Sequence, residues 1–323
     1  MLYTRRELGR LALAGLPAAG VLLKSSAASG VPLVAKPNSK WAGVQVGMNI
    51  PYNFGPTPVL SGDEILERCV QLGVSGLELR SQPVEAFLGV PASVVAAARA
   101  PGGRATPTPE QVAARKAAVE ELRKWRASAP MSKVREFRKK YEDAGVLIEI
   151  VKFDGIYALT DAELDYSFEL ARNLGARAIS CEIDLPQTKR LGQFADKHKM
   201  MVGYHGHTES GPAQWEEAFA FAKYNGANLD IGHFLAGNKT SPVPFLKQHH
   251  DRITHVHVKD KTLNNANVPF GQGDTPIKEV LQLIRDNKWK IQATIEFEYP
   301  VPQGSDRMTE LAKCLQYYKD ALV

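Results

Sequence analysis

Residues 178–205 read AISCEIDLPQTKRLGQFADKHKMMVGYH, and this stretch decides the fold. The apolar runs at 178–182 and 200–205 predict two buried strands, and the pattern between them at 189–198 predicts a helix. Two buried strands joined by a helix are typical of parallel strands with a crossover connection. The stretch therefore predicts one repeating unit of an α/β protein.

The same alternation of strand and helix runs along most of the chain. Predicted strands cover residues 44–49, 74–79, 146–151, 178–182, 200–205, 227–231, 253–258 and 291–297. Predicted helices cover residues 63–72, 132–141, 161–174, 189–198, 215–224, 244–250, 277–287 and 306–322. Eight such units favour a single closed (β/α)8 TIM barrel. A doubly wound open sheet is the alternative, but no GxGxxG motif follows the first strand.

One long segment, residues 82–135, does not fit this repeat. It contains loop-forming residues at 100–104. A helix is then predicted to begin after Thr108, because Pro109 and Gln111 complete a capping motif. We predict a helical insertion between strands two and three, on the barrel face where active sites lie. Its role is left open between a lid, a partner surface and a solvated excursion.

The N-terminus has the features of a bacterial export signal. A twin arginine, Arg5-Arg6, precedes an apolar run at 11–23 and small residues at 26–28 that offer a cleavage site. The apolar run is too short and too interrupted to cross a bilayer core of roughly 30 Å. We predict export to the periplasm, with a basic tail or a short anchor as alternatives. The predicted division is an export signal at 1–28, a linker at 29–40 and a barrel at 41–323.

Charge and cysteine content disfavour several classes of protein. The chain of 323 residues has a formal net charge of +5, of which residues 1–28 carry +3, since four basic side chains there oppose one acidic one. The remaining +2 is a poor electrostatic footprint for a nucleic-acid partner. The three widely spaced cysteines form neither a disulfide framework nor a zinc-finger pattern. We expect Cys69, Cys181 and Cys314 to be small buried residues.

Four short motifs place metal-binding side chains at the ends of predicted strands. They are Tyr204-His205-Gly206-His207, Leu229-Asp230-Ile231-Gly232-His233, Thr254-His255-Val256-His257 and Ile295-Glu296-Phe297-Glu298, and they contain five of the eight histidines. Strand residues two apart share a face, so the pairs 205/207, 255/257 and 296/298 can each face the barrel interior, and Asp230 with His233 adds a turn pair. Glu182 ends the fourth strand and adds a carboxylate. TIM barrels keep their chemistry at these carboxyl-terminal strand ends.

A buried cluster of carboxylates and imidazoles needs a positive charge. A single histidine on a strand is more often a hydrogen-bonded core residue, and a single buried glutamate can pair with Lys or Arg. Several of them in one barrel mouth need a cation or costly mutual pairing. Mixed imidazole and carboxylate ligands suit Mn, Fe, Co, Ni or Zn. The sequence therefore predicts a divalent-metal site.

These motifs resemble those of the xylose isomerase-like TIM-barrel superfamily, whose members include sugar isomerases and epimerases, inosose dehydratase and endonuclease IV. The resemblance lies in Leu229-Asp230-Ile231-Gly232-His233, His255-Val256-His257-Val258-Lys259-Asp260, Gly271-Gln272-Gly273 and Ile295-Glu296-Phe297-Glu298. It covers the chain from residue 41 onward, except the segment at 82–135. The motifs are specific for the superfamily and not for any one reaction.

The resemblance implies one divalent metal, held as in the sugar epimerases by residues of strands five to eight. The matching positions are Asp230, His257 and Glu296. Strand five has His205 where the epimerases have a glutamate, so the implied set contains two imidazoles and two carboxylates. Mn is the favoured ion, with Co, Fe and Zn as alternatives.

Five further residues are candidates for catalysis. His207 is the first choice as base, because imidazole titrates near neutral pH. Its competing role is to support His205 as a ligand. The candidates for base, acid or sugar-hydroxyl contacts are Glu182, Glu298 and His233. Lys259 is expected either to stabilise an enolate oxygen or to pair, exposed, with Asp260.

The leading hypothesis is an exported metal-dependent sugar isomerase, epimerase or lyase. It would remove a proton next to a carbonyl, through an enediolate, on an unphosphorylated sugar, keto-sugar or oxidised glycoside. The alternatives are an endonuclease IV-like phosphodiester hydrolase, disfavoured by the low charge, and a non-catalytic sugar-binding barrel. We expect a small sugar or glycoside as partner, and neither nucleic acid nor a membrane for the mature form. A homodimer is left open.

Overall fold

Eight parallel strands close into a barrel. The structure, a computed structural model, describes residues 36–55, 59–98 and 107–323, so the predicted export signal lies outside the described residues. The strands are β1 (Val44–Ile50), β2 (Gly76–Arg80), β3 (Leu147–Lys152), β4 (Ala178–Glu182), β5 (Met201–His205), β6 (Asn225–Asp230), β7 (Ile253–Val258) and β8 (Gln292–Ile295). Consecutive strands pair in parallel, and β1 pairs with both β2 and β8. The predicted closed (β/α)8 barrel is confirmed.

Helices follow the strands and cover the outside of the barrel. They are α1 (Gly62–Leu72), α2 (Ser81–Phe87), α3 (Ala92–Ala98), α4 (Pro109–Arg126), α5 (Met131–Ala144), α6 (Asp161–Leu174), α7 (Leu185–His198), α8 (Pro212–Phe221), α9 (Ile231–Asn238), α10 (Val243–His249), α11 (Ile277–Asp286) and α12 (Arg307–Leu322). Single 3-10 turns lie at Tyr52–Phe54 and Ile156–Ala158. After β7, the short strand Asp260–Lys261 pairs antiparallel with Asn267–Val268.

Local sequence sets the helix ends. Thr108 begins α4 with a capping box, in which its hydroxyl accepts from the Gln111 N–H and the Gln111 side chain accepts from the Thr108 N–H. Thr160 and Glu163 begin α6 in the same way. Gly73 ends α1 at φ +73°, a left-handed conformation that favours glycine. The cap predicted at Thr108 is confirmed.

The two faces of the barrel strands differ in chemistry. Outward side chains pack against the helices in one continuous hydrophobic core that includes Val46, Leu77, Ile179 and Val256. Inward side chains include fully buried polar groups, among them Asn49, Glu78, Asn228, His255 and Thr294. TIM-barrel interiors are ordinarily filled by Val, Ile and Leu. Because buried polar groups are costly unless satisfied, the polar interior marks where this barrel carries more than packing.

Among the described residues between β2 and β3 lie four helices, α2 to α5. Helices α3 and α4 pack together around a small separate core of Val90, Val94, Ala118 and Leu122. At the end of α4, Arg126 places Nε 2.9 Å from Glu85 Oε1 and Nη1 3.0 Å from Glu163 Oε1. We call these three buried side chains the tether, because they join α4 to α2 and α6. A lid or partner-surface role for this segment stays a prediction.

Two local predictions near the barrel mouth are wrong, and both have a physical reason. The last strand ends at Ile295, since Asn53 takes over its backbone partners: Asn53 donates to the Ile295 carbonyl and accepts from the Phe297 N–H. Glu296 therefore follows β8 instead of lying on it. The second wrong prediction is a strand that runs to residue 231 with no helix before residue 244. Instead, helix α9 begins directly after β6, because the Asp230 side chain caps it by accepting from the His233 N–H.

The expectation that the three cysteines are small buried residues can be compared with the fold. Cys69, Cys181 and Cys314 are buried free thiols, as expected. Within the described ranges, no helix is long and apolar enough to cross a membrane.

Candidate metal centre and active site

Four predicted ligands meet at the carboxyl-terminal end of the barrel. One ligand atom each of His205, Asp230, His257 and Glu296 lies within 4.8 Å of the others. All four side chains are buried, and they come from the ends of four adjacent strands, β5 to β8. The structure thus brings together the set named from the sequence. Their role as ligands stays a prediction at this point.

Each of these four residues has one buried atom outside any aligned hydrogen bond, although the Asp230 and Glu296 atoms both contact the Lys259 ammonium. The atoms are His205 Nδ1, Asp230 Oδ2, His257 Nδ1 and Glu296 Oε2. The last two lie 3.2 Å apart, without hydrogen-bond alignment. Buried polar atoms in proteins nearly always have partners, so each exception needs an explanation. Two imidazole nitrogens and two carboxylate oxygens converging in this way form a donor set that fits one divalent transition metal.

Neighbouring residues hold the other atom of three of these side chains. The Asp230 Oδ1 atom accepts from the His233 N–H at 2.7 Å. The Glu296 Oε1 atom accepts from Asn49 Nδ2 at 2.9 Å. The His257 Nε2 atom is hydrogen-bonded to Glu78 Oε2. Such outer contacts orient metal ligands in known metal sites.

The charges of the two imidazoles are pushed in opposite directions. Burial lowers the pKa of His257, but the Glu296 and Glu78 carboxylates outweigh burial and raise it to about 10. Burial, together with nearby His257, holds the pKa of His205 well below its ordinary value. His205 is therefore neutral and ready to donate a lone pair, whereas His257 carries a proton that a metal would have to displace.

Lys259 is a buried cation beside the same carboxylates. Its Nζ lies 3.1 Å from Asp230 Oδ2, 2.6 Å from Glu296 Oε2 and 2.9 Å from Glu298 Oε2. Burial lowers the pKa of Lys259, but these carboxylates raise it well above its ordinary value. The alternative of an exposed Lys259 paired with Asp260 is wrong. The Asp260 carboxylate instead accepts from the N–H groups of the loop at 271–275.

A second constellation, next to the metal ligands, contains the predicted base. His207 Nε2 lies 2.9 Å from Glu182 Oε2, and Lys152 Nζ lies 2.7 Å from Glu182 Oε1. The His207 side chain is half-exposed, and its ring centroid is 4.8 Å from that of buried His205. The hydrogen bond to Glu182 raises the pKa of His207 against the effect of burial. This is an accessible imidazole with an oriented carboxylate, the arrangement that a general base needs.

The remaining predicted residues line the same mouth. His233 Nε2 lies 3.1 Å from Lys259 Nζ, and its ring centroid is 5.0 Å from that of His207. The Glu298 carboxylate contacts Lys259 and accepts from Tyr52 Oη at 2.9 Å and from Asn267 Nδ2 at 3.3 Å. All nine predicted site residues therefore lie in one connected region. Nothing in this arrangement by itself assigns their catalytic roles.

Several residues of the site escaped the sequence reasoning. They are Asn49 at the end of β1, Glu78 in β2 and Lys152 at the end of β3. A usable signal existed for two of them, because charged Glu78 and Lys152 interrupt otherwise apolar strands. His255, which belongs to the predicted histidine pair on β7, lies below His257, where its Nε2 is 3.4 Å from Glu78 Oε1.

Comparison with known proteins places this geometry in context. Residues 185–320 match the family model described as xylose isomerase-like TIM barrel, a region that contains all four candidate ligands. An inosose dehydratase from Clostridium botulinum is 26% identical over 154 residues, which are 41% of this chain and 51% of that protein. The chain thus spans about half the length of the curated relatives it matches.

Solved structures resemble the chain over most of its length. The probable 3-DHS dehydratase AsbF from Bacillus anthracis superposes with a TM-score of 0.58 and 13% identity, over 84% of this chain and 98% of that one. An L-ribulose 3-epimerase superposes with a TM-score of 0.55 and 10% identity, over 86% and 94% of the two chains. At these identities the likeness establishes the barrel fold and nothing more specific.

Proposed function

We propose that this protein is a metal-dependent enzyme that removes a proton next to a carbonyl group of an unphosphorylated sugar, keto-sugar or oxidised glycoside. One observation carries the proposal: two unpartnered imidazole nitrogens and two carboxylate oxygens that share Lys259 as their cation converge beside an accessible imidazole that is paired with a carboxylate. The similarity to an inosose dehydratase, and the fold shared with a 3-DHS dehydratase and an epimerase, support this class of chemistry.

The donor set determines where a metal would bind. His205, Asp230, His257 and Glu296 would hold one divalent ion, with Mn favoured over Co, Fe and Zn. When bound there, the ion would supply a Lewis acid that polarises a substrate carbonyl. Every other step in the proposed reaction belongs to side chains of this chain.

His207 is the proposed base. With Nε2–H donating to Glu182, its Nδ1 has a lone pair that can accept the substrate proton. Glu182 then stabilises the imidazolium that forms, and Lys152 holds Glu182 in place by a 2.7 Å contact. The electrons of the broken C–H bond form the double bond of an enediolate.

The fate of the enediolate depends on the remaining groups. Epimerisation needs a second acid or base on the opposite face of the substrate. Glu298, the nearest carboxylate for that role, is occupied by Lys259, Tyr52 and Asn267. Expulsion of a β-hydroxyl or glycosidic group needs only a proton donor for the leaving oxygen, and the Lys259 ammonium is the candidate, because burial and the Lys259 charge lower the pKa of His233 to about 3 and leave that ring neutral. We therefore favour elimination over epimerisation as the overall reaction.

The test is a proton-exchange assay with metal analysis. The purified protein, loaded with Mn²⁺, would be incubated in D₂O with a keto-cyclitol, a ketohexose and a 3-keto-glycoside. We expect deuterium at the carbon next to the carbonyl, or an ultraviolet-absorbing enone from elimination. Loss of exchange in His207→Ala but not in His249→Ala, a remote histidine that is likewise paired with a glutamate, would assign the base.

Metal stoichiometry separates the alternatives. One metal per chain supports the proposal. A protein that binds sugar equally well without metal would be a non-catalytic sugar-binding barrel. Three metals per chain would favour an endonuclease IV-like hydrolase, an outcome that matters because further groups of three potential ligands, His205, His207 and His233 or Glu78, His255 and His257, lie beside the first.

We also propose that residues 1–28 direct export to the periplasm, supported by the twin arginine. Mass spectrometry of the periplasmic fraction should find a chain that begins after residue 28, and replacing Arg5-Arg6 by two lysines should keep the full-length chain in the cytoplasm. An intact N-terminus in the periplasm, or export of the lysine variant, would contradict this.

A further inference from the structure

Glu78 lies beneath the candidate metal centre and takes part in none of the steps above. It is fully buried on β2, where Oε2 contacts His257 Nε2 and Oε1 faces His255 Nε2. We propose that Glu78 is a positioning residue: by holding Nε2–H of His257, it makes Nδ1 the nitrogen that binds the metal. This inference rests on the metal centre of the proposed function and adds what sets its geometry.

His257 has two ring nitrogens, and either one could bind the metal. A neutral imidazole carries one N–H, and the hydrogen bond made by one nitrogen decides which nitrogen is free for a metal. Because a carboxylate only accepts, the contact with Glu78 requires the proton on Nε2, and the Asn228 amide, whose Nδ2 lies 3.0 Å from the same nitrogen, then cannot donate to it. The free Nδ1 then lies 3.2 Å from Glu296 Oε2. Two ligands that each lie about 2.1 Å from a tetrahedral ion are separated by roughly 3.4 Å.

Glu78 lies on a strand that is not adjacent to the strand of His257. In the closed barrel, β1 and β8 lie between β2 and β7, so Glu78 reaches His257 across the barrel interior. The ligand Glu296 follows β8, and Asp230 ends β6. The contact therefore fixes the ring of His257 from the far wall, independently of the other ligands. It also explains a charged residue in the buried strand Gly76–Arg80.

The position of Glu78 has an energetic cost at its second carboxylate oxygen. The Thr254 hydroxyl donates to the Ala227 carbonyl at 3.1 Å, so it accepts the Nδ1–H of His255 at 2.8 Å. His255 Nε2 then has no proton and faces Glu78 Oε1 at 3.4 Å, and neither atom has a hydrogen-bond partner. Two acceptors face each other in a buried site, which is unfavourable.

A glutamine at position 78 would remove that conflict. Its amide NH₂ could donate to His255 Nε2 while its oxygen still accepts from His257 Nε2–H. If Glu78 served folding alone, glutamine would be the better residue. A carboxylate that lowers stability but raises the basicity of a metal ligand is typical of a functional position.

The experiment compares Glu78→Gln and Glu78→Leu with the wild type. Dissociation constants for Mn²⁺ and Co²⁺ would be measured by competition with a chromophoric chelator, together with the visible spectrum of the Co²⁺ form. The melting temperature of each metal-free protein would be recorded. The matched control is Glu85→Gln, which makes the same change at an equally buried carboxylate in the tether, away from the metal centre.

We expect Glu78→Leu to weaken metal binding about 10- to 100-fold and to change the Co²⁺ spectrum, the range seen when such outer partners are removed. Glu78→Gln should show a smaller loss, because it keeps an acceptor for Nε2–H, and its melting temperature should equal or exceed that of the wild type. Glu85→Gln should lower the melting temperature and leave metal binding unchanged.

Three results would overturn the inference. Wild-type metal affinity in folded Glu78→Leu would show that His257 does not need Glu78, because Asn228, 3.0 Å from the same nitrogen, would then suffice to orient the ring. An equal loss of metal affinity in Glu85→Gln would show that any loss of stability weakens metal binding. A wild type that binds no metal would remove the basis of both this inference and the proposed metal centre, whereas the first two results leave the proposed function standing.

Discussion

The candidate metal centre and the tether both bury carboxylates beside a cation, yet they differ in whether their polar atoms are satisfied. In the tether, Glu85 accepts from Arg126 at 2.9 Å and from Tyr166 Oη at 3.3 Å, and Glu163 accepts from Arg126 at 3.0 Å. None of these side chains has a buried atom without a partner, whereas in the candidate metal centre His205 Nδ1 and His257 Nδ1 have no partner, and Asp230 Oδ2 and Glu296 Oε2 share Lys259 as their cation.

This difference separates a structural ion pair from a binding site. A buried pair whose hydrogen bonds are complete needs nothing else, and its removal mainly affects folding. Donors that converge without partners store unfavourable energy that a bound ion would release. The tether should therefore respond to mutation through stability, and the metal centre through metal binding and activity.

The largest effect is expected from loss of a metal ligand. Glu296→Ala removes one of two carboxylate donors, so metal should be lost on dialysis and proton exchange should fall by on the order of 10³-fold or more. Elemental analysis and the D₂O assay check this. Full activity in the metal-free variant would contradict the interpretation of this cluster as a metal site that differs from the tether.

The next largest effect is expected at the base. His207→Ala should reduce the rate of proton exchange by about 10²- to 10⁴-fold, the range typical of a lost general base, while the metal content stays at that of the wild type. Single-turnover exchange in D₂O measures it. A simultaneous loss of metal would instead assign His207 as a ligand or as support for His205.

A stability effect without a chemical effect is expected in the tether. Arg126→Met leaves Glu85 and Glu163 buried without their cation, which should destabilise the fold by about 3–5 kcal/mol. Urea denaturation gives the free energy of unfolding. Metal affinity of the folded fraction should be unchanged, and a large drop in affinity would show that the segment between β2 and β3 supports the metal centre.

The smallest effect is expected from pH. In the metal-free protein the pKa of His257 is raised to about 10, so at neutral pH this ring carries a proton that metal binding must release. Metal affinity should therefore rise by about tenfold per pH unit from pH 7 to pH 9. Titrations with Mn²⁺ at fixed ionic strength test the slope. A flat profile would indicate that His257 is already neutral or is not a ligand.

The outcome of sequence reasoning differs between strands and side-chain contacts. The eight strands could be predicted because strand alternation is encoded locally, and the four side chains that meet in the candidate metal centre were named from the resemblance to a known superfamily. Burial of Lys259 could not, since its three carboxylate partners come from β6 and from the chain after β8. Lys152 was missed for the same reason: its partner Glu182 is supplied by the neighbouring strand.

Local sequence encodes the alternation of strand and helix and the kinds of donor at the carboxyl-terminal strand ends. Which atom of each donor faces the candidate metal centre depends on contacts across the closed barrel. Asn49 holds Glu296 from β1, and Glu78 holds His257 across the barrel interior from β2. Contacts of this kind join residues far apart in the chain, and no local pattern encodes them. The physical reason is that barrel closure, and not sequence spacing, sets which side chains meet inside.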